Sequence, residues 1–472
     1  SGVLTPWQRI RANIYPTWLN RNMRLLLLAR VCMSLARALA GIIVPIYLVI
    51  LGFNALTMGL LFLAVALTSA VLSSLSGLLS DRIGRKPFLV ILPFCTALAA
   101  LVFIFSHVIA ILFSFAALGS FGRGSGASAG AIGPYQPAEQ ALLSEIVPTR
   151  YRTQLFGLVA LASSLGALIG TGPLTALPQL LTYIGILNSR GLASYYLTFA
   201  FIAGGALIAG LLALPVTDPF IARRQSTQPA TNVATVGKVR QRRGIVLASS
   251  SWSVLFRLFA SNSINGLAVG FFGPFVTYWF YLRYGAGPAT IGLLFSIINL
   301  ASIFANLAAA PFANRLGLVR AILVGRIVQA VLIVPMVLAP TFWLAGCIYL
   351  VRMLAQRIAL PLRQSYIMGV IPAEERGTVG ALSNLPSQAT SAASPVLAGY
   401  IFDHISLSLP FEIGAILQAT NALLFYFFFH KLLPPEEQAA RAREAEQAQV
   451  VASAAYSMAE QKDLQAPPAS IP

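Results

Sequence analysis

Arginine side chains interrupt the most apolar stretches of this chain, and their chemistry is the clearest clue in it. They are Arg30, Arg37, Arg123, Arg257, Arg326, Arg352, Arg357 and Arg363, and the one acid placed in the same way is Glu139. If these stretches lie in a bilayer, a centred guanidinium costs at least about 2.5 to 3.5 kcal/mol, so each one requires water, a protein partner or a bound anion. Guanidinium binds carboxylate and phosphate through paired hydrogen bonds, so the pattern indicates an anion site.

Spacing places several of these side chains on shared helix faces. Arg30 and Arg37 are nearly two helical turns apart, and Arg352, Gln356 and Arg363 share one face of a later helix. A positively charged path through the centre of the molecule follows. The residues expected to contact an anionic substrate are Arg37, Arg123, Arg352, Gln356 and Arg357.

Other polar residues in the apolar runs have a second interpretation. Arg30, Arg257 and Arg326 lie nearer the ends of their runs, where a side chain can reach the membrane surface or bond to helix carbonyls. Amide side chains can contact substrate or bond to a neighbouring helix, and both readings stay open for Asn262, Asn265 and Gln329.

The elements that hold these residues are predicted to be membrane helices. Hydrophobic residues make up 57% of the 472 positions and charged residues 10%, with a mean hydropathy of +0.78. A soluble protein of this length needs more polar surface. Runs of about 20 apolar residues between charged or turn residues predict twelve transmembrane helices in an all-α membrane protein.

An internal repeat divides these helices into two pseudo-symmetric six-helix bundles. The segment Gly59-Leu60-Leu61-Phe62 recurs as Gly292-Leu293-Leu294-Phe295, and Pro137 and Gln140 recur as Pro361 and Gln364. The predicted parts are a cytoplasmic N-terminal segment 1–23, an N-terminal bundle 24–215, a cytoplasmic linker 216–250, a C-terminal bundle 251–433, and a largely disordered cytoplasmic tail 434–472.

Basic residues set the predicted orientation. With both termini in the cytoplasm, only Arg190 and Arg283 fall in external loops, as the excess of Lys and Arg in cytoplasmic loops requires. The net charge of +18 then reflects topology and contact with anionic lipids, not nucleic acid. We expect a multi-pass protein of the plasma (inner) membrane.

Glu139 has two predicted roles. As the single acid within an apolar run, it could carry a proton. The separation that relates Pro137 to Pro361 also equates Glu139 with Arg363. We therefore also predict a cytoplasmic gate in which Glu139 and Arg363 form an ion pair when the substrate site faces outward.

A short charged turn connects the second and third runs. Its pattern, Gly77-x-x-x-Asp81-Arg82-x-Gly84-Arg85-Lys86, resembles the loop between the second and third helices of major facilitator superfamily (MFS) transporters. The resemblance covers about residues 22–433. It implies alternating access between two bundles, with a central cavity lined by the first, fourth, seventh and tenth helices.

The same resemblance implies a conformational latch. Its residues here would be Asp81, Arg82, Arg85, Glu145 and Arg152. These charges would hold the cytoplasmic ends together when the outside is open; the alternative is that they only anchor the topology. Asn314 and Gly369 stand where the second half would need acids, so a second equal latch is not expected.

Weaker motifs point towards export. Gly157, Gly166, Gly170 and Gly172-Pro173 resemble the fifth-helix motif of drug:proton antiporters, with one residue inserted before the Gly-Pro pair. Arg123 resembles the fourth-helix arginine of that family, although the expected Gln a few residues later is missing.

Residue types for catalysis or metal binding are sparse. Cys32, Cys95 and Cys347 are far apart inside apolar runs, and the histidines form no triad. The sequence predicts neither an enzyme nor a bound metal or cofactor.

The predicted function is secondary transport of a small organic or inorganic anion by a monomer, with protons or a counter-ion as possible coupling partners and membrane lipids around it. Two alternatives stay open: proton-coupled efflux of amphiphilic drugs, and a non-transporting membrane sensor or lipid-handling protein.

Overall fold

The computed structural model describes residues 20–106, 108–121, 133–146, 152–184, 193–217, 249–370 and 376–429. Within these ranges the regular structure is helical, without strands. The first half contains α1 (Arg21–Ile50), α2 (Ala55–Ile83), α3 (Lys86–Phe105), α4 (Ile109–Gly119), α5 (Gln136–Ile146), α6 (Arg152–Thr171), a 3-10 turn (Pro173–Ala176), α7 (Leu177–Tyr183) and α8 (Ala193–Ala213).

The second half has a matching set of helices. They are α9 (Ser249–Phe272), α10 (Val276–Tyr284), α11 (Pro288–Leu316), α12 (Leu318–Val331), α13 (Ile333–Leu338), α14 (Phe342–Val370), α15 (Arg376–His404) and α16 (Leu409–Phe429).

These helices fit the twelve membrane segments that the sequence predicts. Among the described residues, nine helical segments are long and apolar enough to cross a bilayer, and α4 is a shorter apolar helix. Four segments are each made of consecutive helices, namely α4 with α5, α6 with α7, α9 with α10, and α12 with α13. The predicted all-α membrane fold is confirmed.

The charged turn after α2 has a structural equivalent after α11. Gly84 ends α2 with φ +103°, and Gly317 ends α11 with φ +80°. Residues with a side chain rarely adopt such angles, so glycine is favoured at both turns. The internal repeat seen in the sequence is therefore also a repeat of backbone conformation.

The two halves use the same helix pairings. In the first half α1 packs against α6 and α8, and in the second half α9 packs against α15 and α16. A Cβ atom on Gly166 or Gly170 of α6 would collide with the α1 backbone at Val31 or Leu35. Close helix packing thus accounts for two of the glycines that resemble the antiporter motif.

The halves meet where α2 crosses α15 and α6 crosses α11. Asp403 accepts hydrogen bonds from the backbone N–H groups of Ala55 at 2.9 Å and Leu56 at 2.7 Å. Phe62 packs edge-on against Phe275, with ring centroids 5.5 Å apart. These contacts lie at the end of the molecule where α2 begins and α15 ends, which we call the closed end.

The hydrogen bonds at the α6–α11 crossing also lie towards the closed end. The Thr171 and Ser296 hydroxyls are 3.0 Å apart, and the Ser296 hydroxyl also donates to the Leu168 carbonyl at 3.4 Å. Ser296 lies in the part of α11 that is nearer its first residue, Pro288, at the closed end. The described hydrogen bonds between the halves therefore lie towards the closed end.

Replacing Asp403 with alanine is expected to loosen the closed end. A carboxylate that caps a helix N-terminus contributes about 1 kcal/mol, which corresponds to roughly a fivefold shift towards separated halves. The measurement is the distance between spin labels at Val108 and Ile405, which are exposed on opposite halves at this end. Alanine at Glu412, an exposed acid in the first turn of α16, is the control. An unchanged distance distribution in the Asp403 variant would contradict the role of this cap.

Candidate functional site

Arg352 lies in a polar chain that links three helices of the second half. Its Nη2 donates to Gln418 Oε1 at 3.1 Å, and Gln418 Nε2 donates to Gln329 Oε1 at 3.0 Å. Gln329 Nε2 then donates to the Gly325 carbonyl at 3.1 Å. The Arg352 guanidinium also lies over the ring of Phe272, 3.9 Å from its centroid. Neutral groups of α9, α12 and α16 therefore hold this cation in place.

The positive charge of Arg352 is not balanced by a carboxylate of the described residues. Its side chain is 5% exposed, and its Nε has no hydrogen-bond partner among those residues. Arg352 lies about 15 Å along α14 from Phe342, near the middle of a hydrocarbon core about 30 Å thick. A buried cation with an unused donor at that depth favours an anionic guest.

Arg37 is the corresponding buried cation of the first half. It is 4% exposed, and its Nη2 donates to the Ser120 carbonyl at 3.3 Å. Ser120 ends α4 with φ +56°, so the backbone of the fourth segment turns there and directs a carbonyl towards α1. The sequence did not predict this interruption of the fourth segment.

Arg30 forms a buried ion pair within the first half. Its Nη1 lies 2.5 Å from Glu139 Oε2, and both side chains are 5% exposed. Arg30 Nε donates to Ser163 Oγ at 2.7 Å, and Nη1 also donates to Tyr135 Oη at 3.4 Å. The pair joins α1, α5 and α6. The expectation that Arg30 reaches the membrane surface or bonds to helix carbonyls is wrong, because its buried side chain contacts an acid and two hydroxyl groups.

The ion pair predicted between Glu139 and Arg363 is not formed in this structure. Arg363 donates instead to Asn262 Oδ1, and Asn262 Nδ2 donates to the Ser383 carbonyl at 2.5 Å. Each residue therefore has a partner in its own half. A gate made by this pair stays a prediction for a different arrangement of the halves.

The family model of the Major Facilitator Superfamily matches the chain twice, over residues 26–262 and 258–468. This chain belongs to the major facilitator superfamily. The two matches correspond to the two structural halves, and they confirm the resemblance found at the charged turn after α2.

Several MFS relatives have similar sequences. The quinolone resistance protein NorA of Staphylococcus aureus is 21% identical over 388 residues, which cover 81% of this chain and 90% of NorA. An uncharacterized membrane protein of Saccharomyces cerevisiae is 23% identical, covering 73% of this chain and 80% of that protein. A probable 4-methylmuconolactone transporter of Cupriavidus pinatubonensis is 31% identical over 146 residues, 29% of this chain and 28% of that protein.

Solved transporter structures share the fold. The nucleoside transporter NupG superposes with a TM-score of 0.62 at 14% identity, over 87% of this chain and 99% of NupG. A bacterial homologue of the iron transporter ferroportin in an inward-facing state gives 0.63 at 16% identity, over 86% and 98%. A D-xylose-proton symporter gives 0.62 at 13% identity, over 88% and 97%. At these identities the likeness establishes the MFS fold alone.

The structure places the predicted latch residues of this MFS protein at the end opposite the closed end. Asp81 is in the last turn of α2, Arg85 precedes α3, Glu145 is near the end of α5, and Arg152 begins α6. Their shared position agrees with a latch, which stays a prediction. Arg82 is also in the last turn of α2.

The remaining predicted substrate contacts of this MFS chain are less well defined. Gln356 and Arg357 are partly buried on α14, one turn beyond Arg352. Arg123 lies outside the described residues. Arg257 Nη1 donates to the Phe428 carbonyl at 3.3 Å, which confirms the role expected for it.

Two polar residues of α16 are functional candidates that the sequence analysis missed. Gln418 supports Arg352, and Asn421 Oδ1 accepts from Ser261 Oγ at 2.7 Å while its Nδ2 donates to Asn265 Oδ1 at 3.1 Å. The available signal was two amide side chains about one turn apart in an otherwise apolar helix. In bundles of membrane helices, such residues commonly bond to neighbouring helices.

Proposed function

We propose that this membrane transporter of the MFS carries small organic or inorganic anions by alternating access, with Arg352 as the main anion contact and Arg37 as a second one. The observation that carries the proposal is the buried Arg352 guanidinium, which is held by neutral groups and keeps an unused Nε donor near mid-membrane. Carboxylate or phosphate oxygens are the acceptors that suit this donor best.

The proposed orientation places the closed end outside the cell. Both termini then lie in the cytoplasm with the basic loops, in the plasma membrane, and this structure corresponds to an inward-facing state. The proposal includes a functional monomer that couples transport to a proton or a counter-ion. The proposed division of the chain keeps bundles at 24–215 and 251–433.

The proposal is tested by flux into proteoliposomes that contain the purified transporter. We expect uptake of at least one of lactate, benzoate and inorganic phosphate. Glutamine at Arg352 should reduce that uptake by roughly 10- to 100-fold, since a hydrogen bond to a charged group contributes about 1.5–3 kcal/mol. Glutamine at Arg320, an exposed arginine of α12, is the matched control and should transport normally.

A second candidate is proton-coupled efflux of amphiphilic compounds, which the likeness to NorA over 81% of this chain favours. This mechanism needs an acid that carries the proton. Glu139 is the candidate, and in this structure it forms an ion pair with Arg30. Ethidium extrusion without anion uptake would support this candidate. Absence of any flux would favour a membrane sensor, and either result would refute anion transport.

A further inference from the structure

Two further arginines, Arg326 and Arg363, lie where α12 crosses α14. A Cβ atom on Gly325 would lie 2.9 Å from the Ala359 Cβ, so the two helices touch at this point. Arg326 follows Gly325 directly, and Arg363 is one helical turn beyond Ala359. Arg326 lies about 12 Å from the start of α12 and Arg363 about 10 Å from the end of α14. Because α12 starts where the antiparallel α14 ends, both arginines are at the same depth.

Both side chains keep unused donors. Arg326 is 5% exposed, lies over the Phe425 ring at 5.0 Å, and has an Nη1 atom without a hydrogen-bond partner among the described residues. Arg363 donates to Asn262, while its Nε has no such partner. Neither arginine forms an ion pair with a carboxylate in the described part of the chain. Two cations at the same depth on touching helices repel one another in surroundings of low dielectric constant.

The first half has a carboxylate at the place where the described part of the second half has none. Arg30 of α1 meets Glu139 of α5, whereas Asn262 of α9 meets Arg363 of α14. Since the internal repeat equates Glu139 with Arg363, the first half contains its own acid and the second half contains an extra cation at the equivalent place. A buried Arg326 beside a partly buried Arg363 requires a counter-charge to be stable.

We infer that the second half binds a small oxyanion of the phosphate or carboxylate class between Arg326 and Arg363. The Phe425 ring lies against Arg326, and its centroid is 5.7 Å from that of Tyr366, so these two rings would form the apolar side of the site. It is distinct from the proposed substrate contact, because Arg363 lies about 16 Å along α14 from Arg352. The oxyanion is a resident ligand that stabilises the second half, and its source is either a free ion or a lipid headgroup phosphate.

The first test is thermal unfolding of the delipidated transporter in detergent, with chloride replaced stepwise by inorganic phosphate at constant ionic strength. A ligand that binds the folded state raises the Tm as its concentration rises. The wild type should show a saturable rise. Arg326→Gln and Arg363→Gln should each shift the half-maximal phosphate concentration by at least about tenfold.

Two matched variants control this experiment. Arg320→Gln removes an exposed arginine of α12 and should respond as the wild type does. Arg352→Gln removes any phosphate binding at the proposed substrate contact and should keep the part of the response that depends on Arg326. If Arg352→Gln loses the response while Arg326→Gln keeps it, phosphate binds at the proposed substrate site, and the inference is wrong although the proposed function gains support.

The second test uses a substitution to place a carboxylate of the protein next to Arg363. Asn262→Asp places a carboxylate against Arg363, at the cost of the hydrogen bond that Asn262 donates to the Ser383 carbonyl, and should remove the phosphate response. Asn265→Asp, about one turn further along α9, is the control and should keep the phosphate response, because the Oδ1 of residue 265 accepts a hydrogen bond from the neutral Asn421 Nδ2 and not from Arg363. A phosphate response that persists in Asn262→Asp would overturn the inference.

A third arm identifies the source of the oxyanion. The transporter is placed in nanodiscs of phosphatidylcholine or phosphatidylglycerol without added phosphate. A Tm rise that needs phosphatidylglycerol and Arg326 supports a headgroup, and a rise with inorganic phosphate alone supports a free ion. No rise with either ligand would refute the inference.

One further variant tests for an internal counter-charge. Glu374 and Glu375 lie outside the described residues. If a phosphate response appears only after both are changed to glutamine, the protein's own acid occupies the pocket and an external oxyanion is excluded.

Discussion

Replacing Gly59 with leucine is expected to reduce transport strongly while leaving each half folded. A Cβ atom at this position of α2 would lie 2.9 Å from the carbonyl carbon of Pro395 and 3.0 Å from the Val396 Cα. Both are backbone atoms of α15, so they cannot move aside as a flexible side chain can. The larger leucine side chain therefore prevents the two halves from meeting at the closed end, and the carrier cannot complete its cycle.

Uptake into proteoliposomes should fall by about tenfold to 100-fold, and the distance between spin labels at Val108 and Ile405 should increase. Gly204→Leu on α8 is the matched control, because a Cβ atom at Gly204 has no neighbour within 4 Å. Gly399→Leu should reproduce the defect, since Gly399 faces the Ala55 backbone from the α15 side. Normal uptake by the Gly59 variant would show that transport does not require this crossing to close.

The membrane fold was predictable because its signals are local. An apolar run of about 20 residues identifies a span without knowledge of its neighbours, since the backbone must satisfy its own hydrogen bonds in lipid. The charged turn that contains Gly84, and its equivalent at Gly317, could also be predicted from the sequence. A positive φ favours glycine at both places. The repeat of six helices follows from such local patterns.

The partners of the buried charges were not predictable in the same way. Equating Glu139 with Arg363 correctly located both at equivalent places, but pseudo-symmetry relates positions and does not require contact between them. The observed partner of Glu139 is Arg30, and that contact depends on how α1 packs against its neighbours. Similarly, the turn at Ser120 that directs a carbonyl to Arg37 lies within one continuous apolar run.

Charge is distributed differently in the two halves, and this has a functional consequence. The first half neutralises Arg30 with Glu139, whereas Arg326, Arg352 and Arg363 of the second half have neutral partners among the described residues. The second half therefore has a stronger electrostatic requirement for anions. This difference supports assigning the main substrate contact to α14 and not to α1.

Replacing Glu139 with glutamine is expected to destabilise the protein strongly. The change leaves Arg30 buried without its counter-charge, and breaking a buried ion pair from one side costs about 3–5 kcal/mol. The Tm in detergent should fall by roughly 5–10 °C. The double variant Arg30→Met with Glu139→Met removes both charges and should recover most of this loss. Glu412→Gln, at an exposed acid of α16, is the control. A Glu139 variant as stable as the wild type would contradict a structural ion pair and favour the proton-carrier role.

Charge reversal distinguishes the observed pair from the predicted gate. Exchanging the charges of Arg30 and Glu139 keeps one cation beside one carboxylate, so this double variant should retain most of its stability and transport. Exchanging Glu139 with Arg363 instead puts an arginine against Arg30, and two buried cations at that distance disfavour folding. The gate hypothesis expects the opposite ranking, because transport would then depend on a pair between the halves. Flux and Tm measured on both exchanges therefore decide which contact of Glu139 the transport cycle needs.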